Sequence, residues 1–339
     1  MLTGWTTSGG DVIAAGDLAW NWRDAAFGAA LAVPGVAVIA SGNVSMGIPL
    51  LFGALPAAIV GLQPHRNQRW ALVVIGMLFA FSVLIGAVLA TSATLAIIGM
   101  FLLAVGAAAL AATRPFGLIA MNLCVPLAGI GLSFDDIGGA VSFGALILAG
   151  SVVAYLISLA FPPFTAPNRP PRSTLGRDEA RRYGLQLGLV AATATAVGFA
   201  FGVQHIGWIA GAALLVTRPS RDMARLRSIG RVVSVVCGAL LASWLLSLQL
   251  PPSAIGVCTG AAIIGAAAMH TSRWYIVPAY STFLVFWLLL YSDGTAAAIA
   301  FRFDERVLET LCGVAIAYLY GIAFSRFGPR LSAPMPAAE

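Results

Sequence analysis

The sequence predicts an all-α integral membrane protein of about twelve transmembrane helices in two parallel six-helix repeats. Three observations carry this. The 339 residues are 60% hydrophobic and only 9% charged, with mean hydropathy +0.92, whereas a soluble domain carries about 25% charged residues. Apolar segments of bilayer length recur along the chain. The sixth and twelfth of them end in related words, "GSVVAYLISLAF" (150–161) and "GVAIAYLYGIAF" (313–324).

The N-terminal residues 1–24 lack the basic start and apolar run of a signal peptide. They are expected on the cytoplasmic side, with an interfacial helix from Val12 to Asp24 that holds Trp20 and Trp22 at headgroup level. Six spans follow in a first half, 25–161, at about 25–42, 46–62, 70–90, 93–112, 115–132 and 138–161. A Pro/Arg-rich connector, 162–182, then reads "PPFTAPNRPPRSTLGRDEARR" and is expected to be cytoplasmic and partly extended. The second half, 183–325, has spans at about 183–201, 204–217, 229–250, 252–269, 274–291 and 306–325, and a cytoplasmic tail closes the chain at 326–339.

Numbering the loops alternately puts 17 arginines on one side and only Arg302 and Arg306 on the other. The positive-inside rule then places both termini in the cytoplasm. The Arg-only, Ala-rich composition fits a GC-rich bacterium, and hence its cytoplasmic (inner) membrane.

The halves are related beyond their last spans. "FSVLIGAVLA" (81–90) in span three matches "VSVVCGALLA" (233–242) in span nine, and self-similarity at matched positions marks duplication. Six is even, so the halves run the same way through the membrane. A Gly-x-x-x-Ala pattern also recurs every third span: Gly86/Ala90, Gly150/Ala154, Gly238/Ala242 and Gly313/Ala317. Small residues four apart share a helix face and let another backbone approach. Three is odd, so consecutive trios would form nested inverted repeats.

Several chemistries are excluded. There is no Lys, hence no P-loop, Schiff base or Ser-Lys pair. Cys124, Cys237, Cys258 and Cys312 lie in apolar segments without metal spacing and read as small core residues. No zinc site or nucleophile triad is spaced along the chain. No cofactor, metal, enzymatic activity or nucleic-acid partner is expected.

Arg231 stands seven residues before Gly238, and Arg306 seven before Gly313. The stretch "GWIAGAALLVTRPSRDMARLRSIGRVVSVVCGALLA" (207–242), with "ERVLETLCGVAIA" (305–317), resembles the fusaric acid resistance family, also called the aromatic acid exporter superfamily. The family pattern of Arg, then Thr, then Gly opening a small-residue helix falls on Arg306, Thr310 and Gly313; span nine has Val235 in the Thr place. In the first half Phe143, Leu146 and Ile147 take the places of Arg306, Glu309 and Thr310. The resemblance implies a secondary exporter of small aromatic or amphipathic organic anions. Related plant proteins look like anion channels, so a channel or an envelope scaffold stays open beside it.

The candidate residues each carry two readings. Arg306 and Glu309 share a helix face. They either pair or snorkel at the outer interface, or they form an outer gate where Arg306 meets a substrate carboxylate, with Thr310, and Glu309 takes a coupling proton. The export would then be driven by the proton gradient. Arg231 is either an ordinary cytoplasmic Arg at the start of span nine or a second substrate contact. Asp304 and Glu305 are read as caps of span twelve, in the manner of Asp135 and Asp136 before span six. His205 and His270 have no nearby carboxylate in sequence and are read as interface packing. Tyr280 and Phe283 sit mid-span beside Pro278, which would free a backbone carbonyl. They are either packing or the ring wall of an anion pocket. The expected partners are the lipid bilayer, the organic anion, and a second copy or an envelope protein.

Overall fold

The computed structural model describes residues 19–114, 116–134, 136–165, 177–203, 205–218, 221–272, 276–291 and 296–327, and every regular element among them is helical. The first half holds α1 (Trp22–Ala40), α2 (Val44–Val60), α3 (Ala71–Leu89), α4 (Ala93–Thr113), α5 and α6 (Ile137–Leu159). Three pieces laid end to end make α5: Phe116–Ile119, a π-helical turn Ala120–Cys124, and Val125–Gly131. The wide turn precedes Pro126, which has no N–H to give the preceding turn. The second half holds α7 (Arg177–Ala200), α8 (Ile206–Val216), α9 (Arg221–Ser247), α10 (Pro252–Ala268), α11 (Ile276–Tyr291) and α12 (Ala296–Phe327).

Seven of these, α1, α3, α4, α6, α7, α9 and α12, are long and apolar enough to cross a membrane, while α2, α5, α8 and α10 are apolar but shorter. The expectation of twelve bilayer-length segments is therefore met only in part. With 11 residues, α8 extends about 16 Å, roughly half the hydrocarbon thickness.

Three helices of the second half start at Arg177, Arg221 and Ala296, ahead of the expected span starts at 183, 229 and 306, while the apolar spans inside them begin at Asp178, Arg227 and Phe303. In α7 and α9, arginines read as loop residues are good helix formers and extend the helix outward, whereas α12 begins with the apolar stretch "AAAIAF" (296–301). Of the connector 162–182, residues 166–176 lie outside the described set and 177–182 are helical. The expected N-terminal interfacial helix lies outside it as far as residue 18. Trp20 and Trp22, both exposed, pack edge to face with centroids 5.5 Å apart, and the Asn21 side chain caps α1 by accepting from Arg23 N and Asp24 N.

The four Gly-x-x-x-Ala faces each lie against another helix. Gly86 of α3 lies against the Ala128 carbonyl and Gly131 of α5, and Gly150 of α6 against Gly53 and Ala54 of α2. Gly238 of α9 lies against Ala279 and Phe283 of α11, and Gly313 of α12 against Ile209, Ala212 and Ala213 of α8. A methyl group added at Gly313 would fall 2.6 Å from the Ile209 carbonyl oxygen, which is backbone and cannot rotate away.

The two halves interlock. The largest cluster joins α1 and α2 (Phe27, Leu31, Ile48, Leu51) to α10 and α11 (Ile263, Ala267, Leu284, Trp287). A second joins α4 and α5 (Met100, Ala104, Met121) to α7 and α8 (Tyr183, Leu187, Leu214). Helix α1 packs on α10 as α4 packs on α7, and α2 packs on α6 as α8 packs on α12. Leucines and aromatics such as Phe81, Leu102, Trp244, Leu308 and Leu319 point outward, where lipid tails solvate them as well as a core would.

Candidate functional site

Arg306 and Glu309 of α12 face inward while its leucines face out. Arg306, Glu309, Thr310, Gly313 and Ala317 recur at helical spacing, so they form one stripe, and all five are buried. Arg306 is 5% exposed and Glu309 2%, against 64% for Leu308. This arrangement inverts a soluble amphipathic helix and reserves the polar stripe for protein contacts.

Arg306 Nη1 donates to Glu309 Oε2 at 2.8 Å. Its guanidinium lies over the Trp208 ring of α8, with Cζ 3.3 Å from the ring centroid. A desolvated cation on an indole face gains about 2 kcal/mol. Glu305, the preceding residue, and Arg231 of α9 both lie within electrostatic range of the Arg306 guanidinium. Arg231 belongs to the inward stripe of α9 with Val235, Gly238 and Ala242, while Val233, Leu240 and Leu241 face out. The site is thus a cation–carboxylate pair on an aromatic shelf, with a second guanidinium nearby, where α8, α9 and α12 meet.

The helices that carry the two arginines begin well ahead of their apolar spans. Arg231 and Arg306 each sit ten residues inside their helices, about 15 Å from the helix start. Within the apolar spans Arg227–Ser247 and Phe303–Phe324, however, they are the fifth and fourth residues, near the expected span starts. Asp304 and Glu305 likewise lie inside α12 and cap nothing. Asp136 does cap α6: its Oδ1 accepts from Gly139 N at 2.7 Å, and Asp135 lies outside the described residues. The likeness of "FDD" (134–136) to "FDE" (303–305) is six residues out of register with the 163-residue offset relating the two helices, which is why one triplet caps and the other does not. Pro278 falls in the first turn of α11, where a missing N–H frees no helical carbonyl.

Tyr280 and Phe283 are held elsewhere. The Tyr280 hydroxyl donates to Met269 Sδ at 3.2 Å and its ring covers Gly265, between α10 and α11. Phe283 stacks with Trp287 at 5.3 Å inside the largest core cluster. Arg306, Glu309 and Arg231 come together; Thr310 continues their stripe.

Three groups gain roles the chain order does not show. Trp208 stands inside a quoted motif, yet only packing of α8 on α12 brings its ring to Arg306. His270 does have a carboxylate: its Nδ1 lies 3.6 Å from Asp24 Oδ2 and 2.7 Å from the Ala267 carbonyl oxygen. Asp24 Oδ1 also accepts from Leu62 N at 3.3 Å, so this buried pair ties α1, the end of α2 and the end of α10. Arg69 is fully buried and donates to the carbonyl oxygens of Gln63, Ser158, Phe161 and Pro162. It thereby closes the C-terminal end of α6, where carbonyls lack helical partners and a cation suits the helix dipole. Among the described residues, no group of three or more His, Cys, Asp or Glu could hold a metal ion.

The family described as fusaric acid resistance protein-like matches residues 192–320, in agreement with the resemblance read from "ERVLETLCGVAIA". Trp208, Arg231, Gly238, Arg306, Glu309, Thr310 and Gly313 all fall inside the matched stretch. No curated protein and no solved structure matches the chain.

Proposed function

We propose that the protein is a secondary transporter that exports small aromatic or amphipathic organic anions, with a proton coupled through Glu309. The observation that carries this reading is the buried Arg306–Glu309 pair on Trp208, inside the matched stretch. Charges buried inside an apolar helical bundle are costly, and the equivalent helix of the first half does without them. Arg306 supplies the planar donor edge that carboxylates recognise. Arg231 adds positive potential on the facing helix, and Thr310 a hydroxyl one residue beyond Glu309.

The architecture we propose is twelve spans in two parallel six-helix halves, with both termini in the cytoplasm of a bacterium. Its support is the paired packing: α3 on α5 and α9 on α11, α2 on α6 and α8 on α12, α1 on α10 and α7 on α4. A shift of six helices turns each first pair into its second.

The test is efflux from proteoliposomes containing the full chain, using benzoate, salicylate and an aliphatic acid, with and without a pH gradient. The expected result is saturable movement of the aromatic anions with a dependence on pH. Movement of none of them would overturn the reading. A single-channel conductance for them would move the chain to the channel class.

A further inference from the structure

We propose that Glu309 is a built-in stand-in for the acid group of the transported anion, so that the anion and one proton bind together and cross together. This rests on the reading of Arg306 as the anion contact.

Glu309 Oε2 takes a hydrogen bond from Arg306 Nη1 at 2.8 Å, and Trp208 covers a face of the same guanidinium at 3.3 Å. An arriving carboxylate or sulfonate seeks the guanidinium edge that Glu309 already holds, because planar two-point bonding is what Arg offers an acid group. Two ionised acid groups on one buried guanidinium repel each other with little solvent between them. A proton on Glu309 removes that conflict. The carboxylate becomes a neutral acid, its hold on Arg306 weakens, and the anion takes its place. The site then has the same net charge as before, with one external acid group in place of the internal one. The proton comes from solvent and remains on a Glu309 oxygen while the anion is bound.

The groups around the pair fit this exchange. Glu305, on the same helix, adds negative potential at Arg306, and Arg231 on α9 adds positive potential. Arg227 stands one turn before Arg231 on α9. Helix α8 brings Trp208, with His205 just ahead of it. Helix α7 carries its charges in its first two turns and beyond them meets α12 through Thr193, whose hydroxyl is 2.8 Å from the Tyr320 hydroxyl. Helix α11 has no charged residue between Ile276 and Tyr291. Arginines stay charged throughout the physiological range, so Arg231 and Arg227 attract the anion without supplying the proton.

The sign of the coupling follows. A proton that must be present for the anion to bind moves in the anion's direction. Each cycle carries no net charge for a monovalent anion. Export then runs on the anion's own gradient, and an inward proton gradient opposes it rather than driving it as expected from the sequence.

The test uses benzenesulfonate, an aromatic anion that stays ionised, so any proton taken up belongs to the protein. Binding to the purified full chain in weakly buffered detergent solution should take up about one proton per anion. Affinity should fall about tenfold per pH unit across the range in which Glu309 loses its proton. In proteoliposomes, an outside-acid gradient should drive benzenesulfonate inward, and an imposed potassium diffusion potential should leave the rate unchanged. Glu309→Gln should bind with pH-independent affinity and no proton uptake. Proton release, a binding step with no proton, or wild-type proton uptake by Glu309→Gln would each overturn the stand-in role and leave the anion reading in place. Failure of the wild-type chain to bind either benzenesulfonate or benzoate at any pH would remove the anion reading itself. The proton count on the wild-type chain decides the matter without any variant.

Discussion

Phe143 and Arg306 hold equivalent places, seven residues before Gly150 and Gly313, and each rests on an aromatic ring from another helix. Phe143 meets Phe52 of α2 at 5.3 Å, and Arg306 meets Trp208 of α8 at 3.3 Å. The offset that aligns span three with span nine puts Phe79 in the place of Arg231. Phe79 and Phe143 pack against one apolar cluster, as Arg231 lies within range of Arg306. The scaffold therefore closes equally well around phenylalanines or around charges. On the reading proposed above, the charges in the second half serve the anion rather than the packing.

The first half buries an arginine for a different purpose. Arg69 ends on backbone carbonyls of α6 and its flanks, whereas Arg306 ends on an ionisable side chain. Backbone carbonyls cannot take up or release a proton, so Arg69 is a fixed strut. A guanidinium held by a carboxylate can change partners.

The largest effect should come from breaking the second-half pair on one side only. Glu309→Ala leaves a buried guanidinium without its carboxylate and should cost about 3–5 kcal/mol, read by unfolding in detergent. Giving this half the residues of the first, Arg306→Phe with Glu309→Leu, should return stability to within about 1 kcal/mol of wild type while abolishing anion binding. If the double variant is as unstable as Glu309→Ala, the charges are structural and the contrast between the halves fails.

Next in size is Arg69→Ala. Carbonyls at the end of α6 lose a charged donor, and the loss should be about 3 kcal/mol. Anion affinity in the fraction that remains folded should not change, because the strut belongs to the other half. A shift in affinity measured on that fraction would show the halves to be coupled.

The smallest effect separates the two acidic triplets. Asp136→Ala removes an N-cap and should cost about 1 kcal/mol. Asp304→Ala, on an exposed residue inside α12, should stay within about 0.5 kcal/mol. Equal losses in a thermal scan would contradict the placement of Asp304 inside the helix.

Much of this was legible in the residues alone. The stripe of Arg306, Glu309, Thr310, Gly313 and Ala317 follows from helical spacing, and the Gly faces from their recurrence every third span. Helix starts were less legible, because Arg at 177 and 221 reads as loop by charge but extends a helix by propensity. Tyr280 and Phe283 read equally as pocket or packing, since an aromatic ring serves either place.

The sequence by itself determined the class, the shared helix face of the polar residues of α12 and the likeness of the halves, because hydropathy and helical period are local properties of a chain. Only the tertiary structure decided which side chains share a site: Trp208 and Arg231 with Arg306, Asp24 with His270, Arg69 with the end of α6. In a membrane an apolar residue may face lipid or core at similar free energy. Hydropathy therefore says which segments can sit in the bilayer but not which faces meet, and the meeting of faces is what makes the site.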